Sequence, residues 1–270
     1  MNDHPQDPQA IFITGAASGI GRETAKLFAR HGWRVGAADL DEMGLASLAG
    51  ELGPERCQTG RLDVRDAAAY RARLDAFAAW TGHRLDILFN CAGIMKMSPF
   101  EETPLEVHVR TVEVNILGVL NGIHTAFPLL KATPGAHIVT MGSASALYGV
   151  PDLATYSASK FFIRGLTEGL SLEFEKHGIT VTDLMPLYVD TPMVRTRTYH
   201  AGSLKTFGAK LTPQQIAELV WKAAHGKKGP LEADPSPEDA GLPWRRAAVR
   251  VAADDEDGGP AAVKGEEKRT

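Results

Sequence analysis

Short apolar runs alternate with longer amphipathic stretches along most of the chain, and this alternation constrains the fold more than any other feature. The apolar runs have the length of strands and cover residues 10–14, 33–38, 58–64, 85–90, 137–141 and 179–185. Stretches with helical periodicity cover residues 19–31, 42–52, 66–80, 105–130, 154–177 and 213–224. The alternation predicts a three-layer α/β domain, with helices on both faces of a doubly wound parallel sheet. Such a sheet binds ligands at the carboxyl ends of its strands.

The composition is that of a soluble globular protein and excludes several functions. Hydrophobic residues make up 44% and charged residues 23% of the 270 residues. The net charge of -4 gives no electrostatic case for binding nucleic acid, and no apolar run reaches the ~20 residues of a membrane span. The polar residues 1–9 do not resemble a secretion signal. Cys57 and Cys91 suit a reducing cytoplasm and suggest neither a disulfide nor a metal site.

The character of the chain changes after His225. Residues 226–270 contain five prolines and an acidic run at 254–257. Few residues in this stretch could form a core, which is typical of disordered segments. The sequence therefore predicts one domain over residues 1–225, followed by a disordered or loosely packed tail over residues 226–270.

A glycine-rich turn, TGAASGIG, occupies residues 14–21 between the first predicted strand and the first predicted helix. Glycines there allow a tight turn and let the backbone approach a pyrophosphate at the helix N-terminus. Any tight connection between a strand and a helix needs such residues, so the turn alone is weak evidence. Its position after the first strand of an alternating pattern favours a nucleotide site.

Asp39 ends the second predicted strand, about twenty residues beyond the turn. A carboxylate there can accept hydrogen bonds from a ribose hydroxyl and would repel a 2′-phosphate, which favours NAD over NADP. A role in helix capping or in a turn is the alternative, because Asp41 follows closely. NADP stays an alternative cofactor, since the side chain of either Arg22 or Arg34 could reach a 2′-phosphate.

Tyr156 and Lys160 are four residues apart in a predicted helix, so both side chains lie on one face. An ammonium beside a phenol favours the phenolate. Lowering the pKa of a phenol from about 10 to about 7 requires roughly 4 kcal/mol, which a cation at about 4 Å supplies at an effective dielectric constant near 20. Tyr156 could then exchange a proton near neutral pH. Taken alone, the pair also fits an ordinary amphipathic helix.

Four motifs occur together in a characteristic order: TGxxxGIG at residues 14–21, NCAG at 90–93, a serine thirteen residues before Tyr156, and YxxxK at 156–160. In these motifs the chain resembles the short-chain dehydrogenase/reductase family over about residues 10–225. The resemblance implies a Rossmann-type fold and NAD(P)-dependent interconversion of an alcohol and a carbonyl compound. It also implies a homodimer or homotetramer formed through the helices at 105–130 and 154–177.

The resemblance assigns four catalytic positions. Ser143 matches the serine that holds the substrate oxygen, with Ser145 as a nearby rival. Tyr156 matches the general acid and base, and Lys160 the residue that tunes it and binds the nicotinamide ribose. Asn115 matches an asparagine that holds a water molecule for proton relay. A local backbone hydrogen bond is the alternative for an asparagine within a helix, and a break in the helix at Asn115 would favour the functional role.

Cofactor and substrate contacts are expected at the ends of the strands. The cofactor-binding residues are expected to be Gly15, Ser18, Gly19, Ile20, Gly21, Asp39, Asp63, Val64, Asn90, Ala92, Gly93, Tyr156, Lys160, Pro186, Val189 and Thr191. The loops at 94–97, 146–149, 187–189 and 193–211 are rich in apolar residues, which favours a medium-sized hydrophobic secondary alcohol or ketone. The expected substrate pocket contains Met95, Ser143, Ser145, Tyr148, Leu187 and Tyr188.

One position departs from the family pattern and leaves the substrate open. Leu187 stands where a glycine usually follows Pro186, and its bulk would narrow the pocket or shift the loop. Lys96, Arg195 and Arg197 could instead recognise an anionic group. An NADP-linked carbonyl or 3-ketoacyl reductase is an alternative function, and a non-catalytic NAD-binding regulatory protein is an alternative of another class. No metal is expected.

Overall fold

In the computed structural model of the protein, residues 8–195, 199 and 201–225 are described. The strands are β1 Ala10–Thr14, β2 Arg34–Asp39, β3 Cys57–Arg61, β4 Ile87–Asn90, β5 His137–Met141 and β6 Thr180–Leu184. The helices are α1 Gly19–Arg30, α2 Glu42–Leu52, α3 Ala67–Thr81, α4 Leu105–Val112, α5 Gly118–Ala132, α6 Ala154–Glu173, α7 Pro192–Arg195, α8 Gly202–Phe207 and α9 Pro213–His225.

The six strands form one parallel sheet in the order β3-β2-β1-β4-β5-β6. The chain moves outward from β1 to β3, crosses to β4 beside β1, and then moves outward to β6. The carboxyl ends of β1 and β4 therefore adjoin where the direction of winding reverses, which is where open α/β sheets bind ligands. The predicted doubly wound parallel sheet is confirmed.

The core has two layers, one on each face of the sheet, because successive strand residues point to opposite faces. Ile11 and Ile13 of β1 pack with α1, α2 and α9 on one face. Ala10 and Phe12 pack with α3, α5 and α6 on the other face. All five residues of β1 are buried, as expected for a central strand with helices on both sides.

Three details differ from the sequence prediction. The helix expected at 105–130 is divided by a π-helical segment, Glu113–Leu117, between α4 and α5. The third strand ends at Arg61 instead of residue 64. The loop expected at 193–211 contains α7 and α8, which are too short to produce a helical period in the sequence.

The tail expected at 226–270 lies outside the described residues, as does the beginning of the chain. Within the described residues, no helix combines the length and apolar character needed to cross a bilayer.

Gly36 in the middle of β2 lets two aromatic rings close over the sheet. The rings of Phe12 and Phe77 meet edge to face with centroids 5.4 Å apart. A Cβ on Gly36 would lie 2.5 Å from Phe77 and 2.6 Å from Phe12. A side chain of any size would therefore force both rings out of their packing.

We predict that Gly36→Ala lowers the free energy of unfolding by about 1–3 kcal/mol, as expected for an overpacked core. Urea unfolding followed by circular dichroism measures the change. Gly50→Ala in α2 is the control, because no atom lies within 4 Å of its added Cβ. That variant should be stabilised by about 0.5–1 kcal/mol. Equal stability of the two variants would contradict the proposed packing constraint.

Candidate active site

A cleft of about 340 Å³ opens at the carboxyl ends of the strands. It brings together nearly all the residues that the sequence assigned to a site. On the cofactor side it is lined by Gly15, Ser18, Gly19, Ile20, Gly21, Asp39, Asp63, Val64, Ala92, Gly93, Pro186, Val189 and Thr191. On the other side it is lined by Met95, Ser143, Ser145, Tyr148, Tyr156, Lys160, Leu187 and Tyr188. Asn90 and Asn115 are not part of the lining.

The glycine turn and the loop after β4 are joined at one end of the cleft. The hydroxyl of Thr14 accepts hydrogen bonds from the backbone N–H groups of Cys91 and Ala92, each at 3.2 Å. A Cβ on Gly15 would lie 2.9 Å from the backbone of Ala92, and a Cβ on Gly21 would overlap the carbonyl oxygen of Gly15. Both positions therefore require glycine.

The N-terminus of α1 faces the cleft with no side-chain cap. Ser18 is the N-cap residue, and its hydroxyl makes no capping hydrogen bond. The first N–H groups of a helix have no partners within the helix, and they attract anions. Together with the side-chain-free surface of the turn, this arrangement fits the pyrophosphate of a dinucleotide.

Asp39 braces the glycine turn and also lines the cleft. Its carboxylate accepts hydrogen bonds from the N–H of Ala17 at 3.0 Å and from the N–H of Asp41 at 3.1 Å. Asp41 separately caps α2 by accepting from the N–H of Gly44 at 3.0 Å. A carboxylate oxygen can accept more than one hydrogen bond, so Asp39 keeps acceptor capacity toward the cleft.

The two arginines considered for a 2′-phosphate differ in position, because Arg22 lies beside the glycine turn and Arg34 lies at the opposite end of β2 from Asp39. Arg22 donates to the carbonyl of Gly44 at 3.0 Å and forms an ion pair with Glu51. Arg34 begins β2 and donates to the carbonyl of Trp80 at 2.9 Å. About 16 Å of strand separates Arg34 from Asp39. The Arg34 guanidinium is therefore too far away to contact a group bound beside Asp39, whereas Arg22, which also donates to the carbonyl of Ala17 at 3.4 Å, stays a candidate for a 2′-phosphate.

Ser143 and Tyr156 meet at the other side of the cleft. Ser143 follows β5, and Tyr156 lies in the first turn of α6. The nearby Ser143 hydroxyl acts to lower the pKa of the Tyr156 phenol. The Ser143 hydroxyl also accepts the N–H of Ser145 at 3.2 Å and donates to the Ser145 hydroxyl at 3.2 Å. Ser145 therefore holds Ser143 in place.

Lys160 is buried near Tyr156 and contacts the backbone. Its ammonium Nζ donates to the carbonyl of Met141 at 2.6 Å and lies 5.5 Å from the centroid of the Tyr156 ring. Burial lowers the pKa of Lys160 to about 8, while Cys91 and Asp183 act in the opposite direction. Lys160 thus carries its charge at neutral pH and begins to lose it in mildly alkaline solution.

The sequence-based prediction for the Tyr156 phenol is wrong for this structure. Burial raises the pKa of Tyr156 to about 12, and the smaller effect of Ser143 does not offset it. Desolvation disfavours the phenolate, and the Lys160 ammonium is bonded to Met141 instead of the phenol. The spacing of the two residues correctly placed them on one helix face, but it did not reveal that the cleft partly buries Tyr156 and so disfavours its phenolate.

Asn115 lies in the π-helical segment behind the cleft and is 1% exposed. Its carboxamide accepts the N–H of Ile94 at 2.8 Å and donates to the Ile94 carbonyl at 2.9 Å. It also donates to the Ser159 hydroxyl at 3.1 Å. The departure from α-helical geometry that would favour a functional role occurs at this residue, and π segments often occur at functional sites. Its role in a proton relay stays a prediction.

Asn90 is buried below the floor of the cleft, in contrast to the expected lining role. Its carboxamide oxygen lies 3.4 Å from the hydroxyl of Tyr70, and its nitrogen has no hydrogen-bond partner in the described part of the protein. The end of β4 turns this side chain toward α3 and α5, where a Cβ on Gly122 would lie 2.6 Å from the Asn90 oxygen. Asn90 therefore supports the cleft from below.

Several residues of the substrate side were not singled out from the sequence, although all of them except Val150 belong to the substrate loop expected at 193–211. The cleft is also lined there by Val150, Met193, Val194, Ser203 and Phe207. The hydroxyls of Tyr188 and Ser203 are 2.7 Å apart. Ser203 belongs to α8, a six-residue helix that gives no periodic signal, so only tertiary packing brings it to the site. Arg195 pairs with Asp190 at the surface, and Arg197 lies outside the described residues.

The described part of the chain contains no group of three or more His, Cys, Asp or Glu side chains that could hold a metal ion. The only two cysteines of the sequence, Cys57 and Cys91, are unpaired. Burial raises the pKa of each thiol to about 12. Both thiols are therefore protonated at neutral pH.

Comparison with known proteins gives matches over most of the chain. The sequence profile described as short chain dehydrogenase matches residues 9–201. A D-threitol dehydrogenase from Mycolicibacterium smegmatis is 35% identical over 193 residues, which cover 71% of this chain and 74% of that protein.

Two solved structures superpose with a TM-score of 0.75 each. A short chain dehydrogenase/reductase from Burkholderia phymatum in complex with NAD is 27% identical, and the match covers 83% of this chain and 88% of that chain. A 3-ketoacyl-(acyl-carrier-protein) reductase from Brucella melitensis complexed with NADH is 29% identical, with coverage of 84% and 96%. The profile match includes the glycine turn, the loop after β4 and α6 with Tyr156 and Lys160.

Proposed function

The chain belongs to the short-chain dehydrogenase/reductase family of oxidoreductases, and on this premise we propose that it interconverts a secondary alcohol and a ketone with NAD. The proposal is carried by one observation. Ser143, Tyr156, Lys160 and the glycine turn all line one cleft. One cavity therefore contains a group that could hold a substrate oxygen, a proton-transfer group and a binding site for a dinucleotide.

The residues of the cleft fit four parts of a dinucleotide. The uncapped N-terminus of α1 suits the pyrophosphate, and the absence of side chains at Gly15 and Gly21 lets it approach the backbone. Asp39 would accept hydrogen bonds from the adenosine ribose. Asp63 and Val64 line the same end of the cleft and would contact the adenine. Lys160, whose ammonium is charged at neutral pH, would bind the nicotinamide ribose.

The residues of the chain perform the proton transfer. Ser143 would donate a hydrogen bond to the substrate oxygen, and Tyr156 would take the hydroxyl proton during oxidation and return it during reduction. When bound, NAD would supply the hydride acceptor and a positive charge near Tyr156, which acts to lower the pKa of the phenol. The Lys160 ammonium would add to the same effect as long as it keeps its proton.

We predict that Tyr156→Phe lowers kcat by about 10²- to 10⁴-fold, because the variant cannot exchange a proton. Fluorescence titration should give an affinity for NADH close to that of the unaltered protein, since the phenyl ring is retained. Tyr148→Phe is the matched control, because it removes a phenol from the same cleft without removing the proton-transfer group. Full activity of Tyr156→Phe would refute the assignment.

The cofactor preference follows from charge at the end of β2. We predict that the protein binds NADH at least about tenfold more tightly than NADPH, since like charges brought together cost several kcal/mol. Equilibrium titration with both cofactors measures the ratio. Asp39→Asn should narrow it, because the amide does not repel a phosphate, whereas Asp63→Asn should leave it unchanged. Tighter binding of NADPH by the unaltered protein would favour the alternative of an NADP-linked carbonyl or 3-ketoacyl reductase.

The substrate pocket supports a medium-sized, mostly apolar alcohol. Met95, Leu187 and Val194 line it together with other apolar side chains. A second candidate is a substrate with an additional hydroxyl, because the hydroxyls of Tyr188 and Ser203 are 2.7 Å apart in this pocket. That pair could bind a second oxygen of a diol, and the relative from Mycolicibacterium smegmatis is named for a polyol.

We predict the highest kcat/KM with cyclic or medium-chain secondary alcohols, because their burial removes apolar surface from water. A panel with NAD should include such alcohols, vicinal diols, tetritols and short hydroxy acids. Preference for diols or tetritols that is lost in Ser203→Ala would establish the second candidate, whereas preference for hydroxy acids would reject an apolar pocket. Absence of turnover with the whole panel would favour a non-catalytic NAD-binding protein.

Exposed apolar side chains support association between copies of the chain. They lie on α4, on the π-helical segment, on α5 and on α6, and are Leu105, Val109, Val112, Leu117, Leu120, Phe161 and Leu172. A surface with this many large apolar residues is typical of an interface. We therefore propose a homodimer or homotetramer formed through these helices. A cytoplasmic location is proposed from the two unpaired cysteines.

A further inference from the structure

Asp183 is a buried carboxylate that the proposed reaction does not use. It lies in β6 opposite Thr140 of β5, and its side chain is on the same face of the sheet as Val181, toward α6. Its Oδ2 is buried and has no hydrogen-bond partner among the described residues. Burial raises the pKa of Asp183. An acceptor left unpaired in the interior costs free energy, so its presence needs an explanation.

Asp183 and Lys160 flank the same peptide unit. The Lys160 ammonium bonds to the carbonyl of Met141 at 2.6 Å. A Cβ on the next residue, Gly142, would lie 3.1 Å from Asp183 Oδ2. The two charges also act on each other. Asp183 raises the pKa of Lys160, and Lys160 lowers the pKa of Asp183.

The remaining charged groups around this pair are more exposed or uncharged. Arg164 and Glu168 of α6 act on the pKa of Asp183 more strongly than Lys160 does, but in opposite directions, and they pair with each other at 2.9 Å with side chains 28% and 46% exposed. Solvent screens such a pair. Cys91 faces Lys160 from the loop after β4, and its thiol is uncharged at neutral pH because burial raises its pKa to about 12.

We propose that Asp183 is a positioning residue for Lys160. The Met141 carbonyl bonds the ammonium directly, and the Asp183 carboxylate, which makes no direct bond to it, favours the charged form through space at the end of β5. A carbonyl alone offers a partial charge, whereas a carboxylate offers a full one in a poorly screened interior. Without that carboxylate, Lys160 should lose its proton at a lower pH. The catalytic consequence rests on the proposed function, but the pairing of the two charges does not.

A double-mutant cycle in protein stability tests the pairing without any substrate. Urea unfolding of the unaltered protein, Asp183→Asn, Lys160→Met and the double variant gives the coupling between the two side chains. Lys160→Gln replaces the methionine variant if that variant does not fold. At pH 7 the effects on the unfolding constant should differ from additivity by about two- to tenfold, as expected for buried charges that share a neighbouring peptide without a direct bond.

The pH dependence of this coupling has a definite sign. The pKa of Lys160 is about 8 in the folded protein, so the ammonium is present at pH 7 and largely absent at pH 10. The coupling should therefore be strong at pH 7 and fall toward zero at pH 10. Glu168→Gln combined with Lys160→Met is the control and should be additive at both pH values. Additivity of Asp183→Asn and Lys160→Met at pH 7, or an undiminished coupling at pH 10, would overturn the proposal.

Kinetics test the positioning role itself. In Asp183→Asn, the loss of kcat/KM at alkaline pH should occur about one pH unit lower than in the unaltered protein. Glu168→Gln should leave the profile in place. A profile that does not move in Asp183→Asn, despite coupling in the stability cycle, would refute the role in positioning. If the unaltered protein turns over no alcohol, the proposed function fails, and the stability cycle still decides whether Asp183 holds Lys160.

Discussion

The backbones that follow β1 and β4 lie within van der Waals contact, and the whole site is built around this approach. Thr14 bonds to two N–H groups of the opposite loop, and Gly15 and Gly21 leave no room for a Cβ. The parallel sheet brings the two strand ends together, but hydrogen-bonded strands still leave space for loops to diverge. The contact therefore fixes the direction of α1 and, with it, the wall of the cleft. Asp39 also stabilises the glycine turn, because its carboxylate accepts a hydrogen bond from the N–H of Ala17.

Burial has opposite effects on the two titratable groups of the site. It raises the pKa of Tyr156 to about 12 and lowers the pKa of Lys160 to about 8, so each group tends toward its uncharged form. The protein alone therefore does not prepare a phenolate. It holds a neutral phenol and a partly stabilised ammonium close to the place where further charge would enter. Proton transfer in such a site depends on the charge that a bound cofactor brings into the cleft. The reaction is therefore limited to the protein with its cofactor bound.

The sequence predicted the fold and most of the cleft because both depend on local patterns. Strand and helix periodicity predicted the order of the elements, and the motifs identified the glycine turn and the residues Ser143, Tyr156 and Lys160. Properties set by distances between elements were not accessible. The bond from Lys160 to Met141, the proximity of Asp183, and Ser203 of α8 each depend on how separate segments pack. The pKa of Tyr156 was predicted in the wrong direction because the sequence does not show the depth of burial.

The π-helical segment at Glu113–Leu117 determines which sides of a long helix meet its neighbours. An α-helix turns by about 100° per residue, and a π turn accommodates one residue more than an α turn. The helix therefore changes its rotational phase between α4, which packs against α6, and α5, which packs against α3. Removal of a single residue from this segment would rotate one half relative to the other and turn Asn115 away from Ile94. Substitutions preserve that phase, whereas a deletion does not, so the length of this segment is under a stricter constraint than its composition.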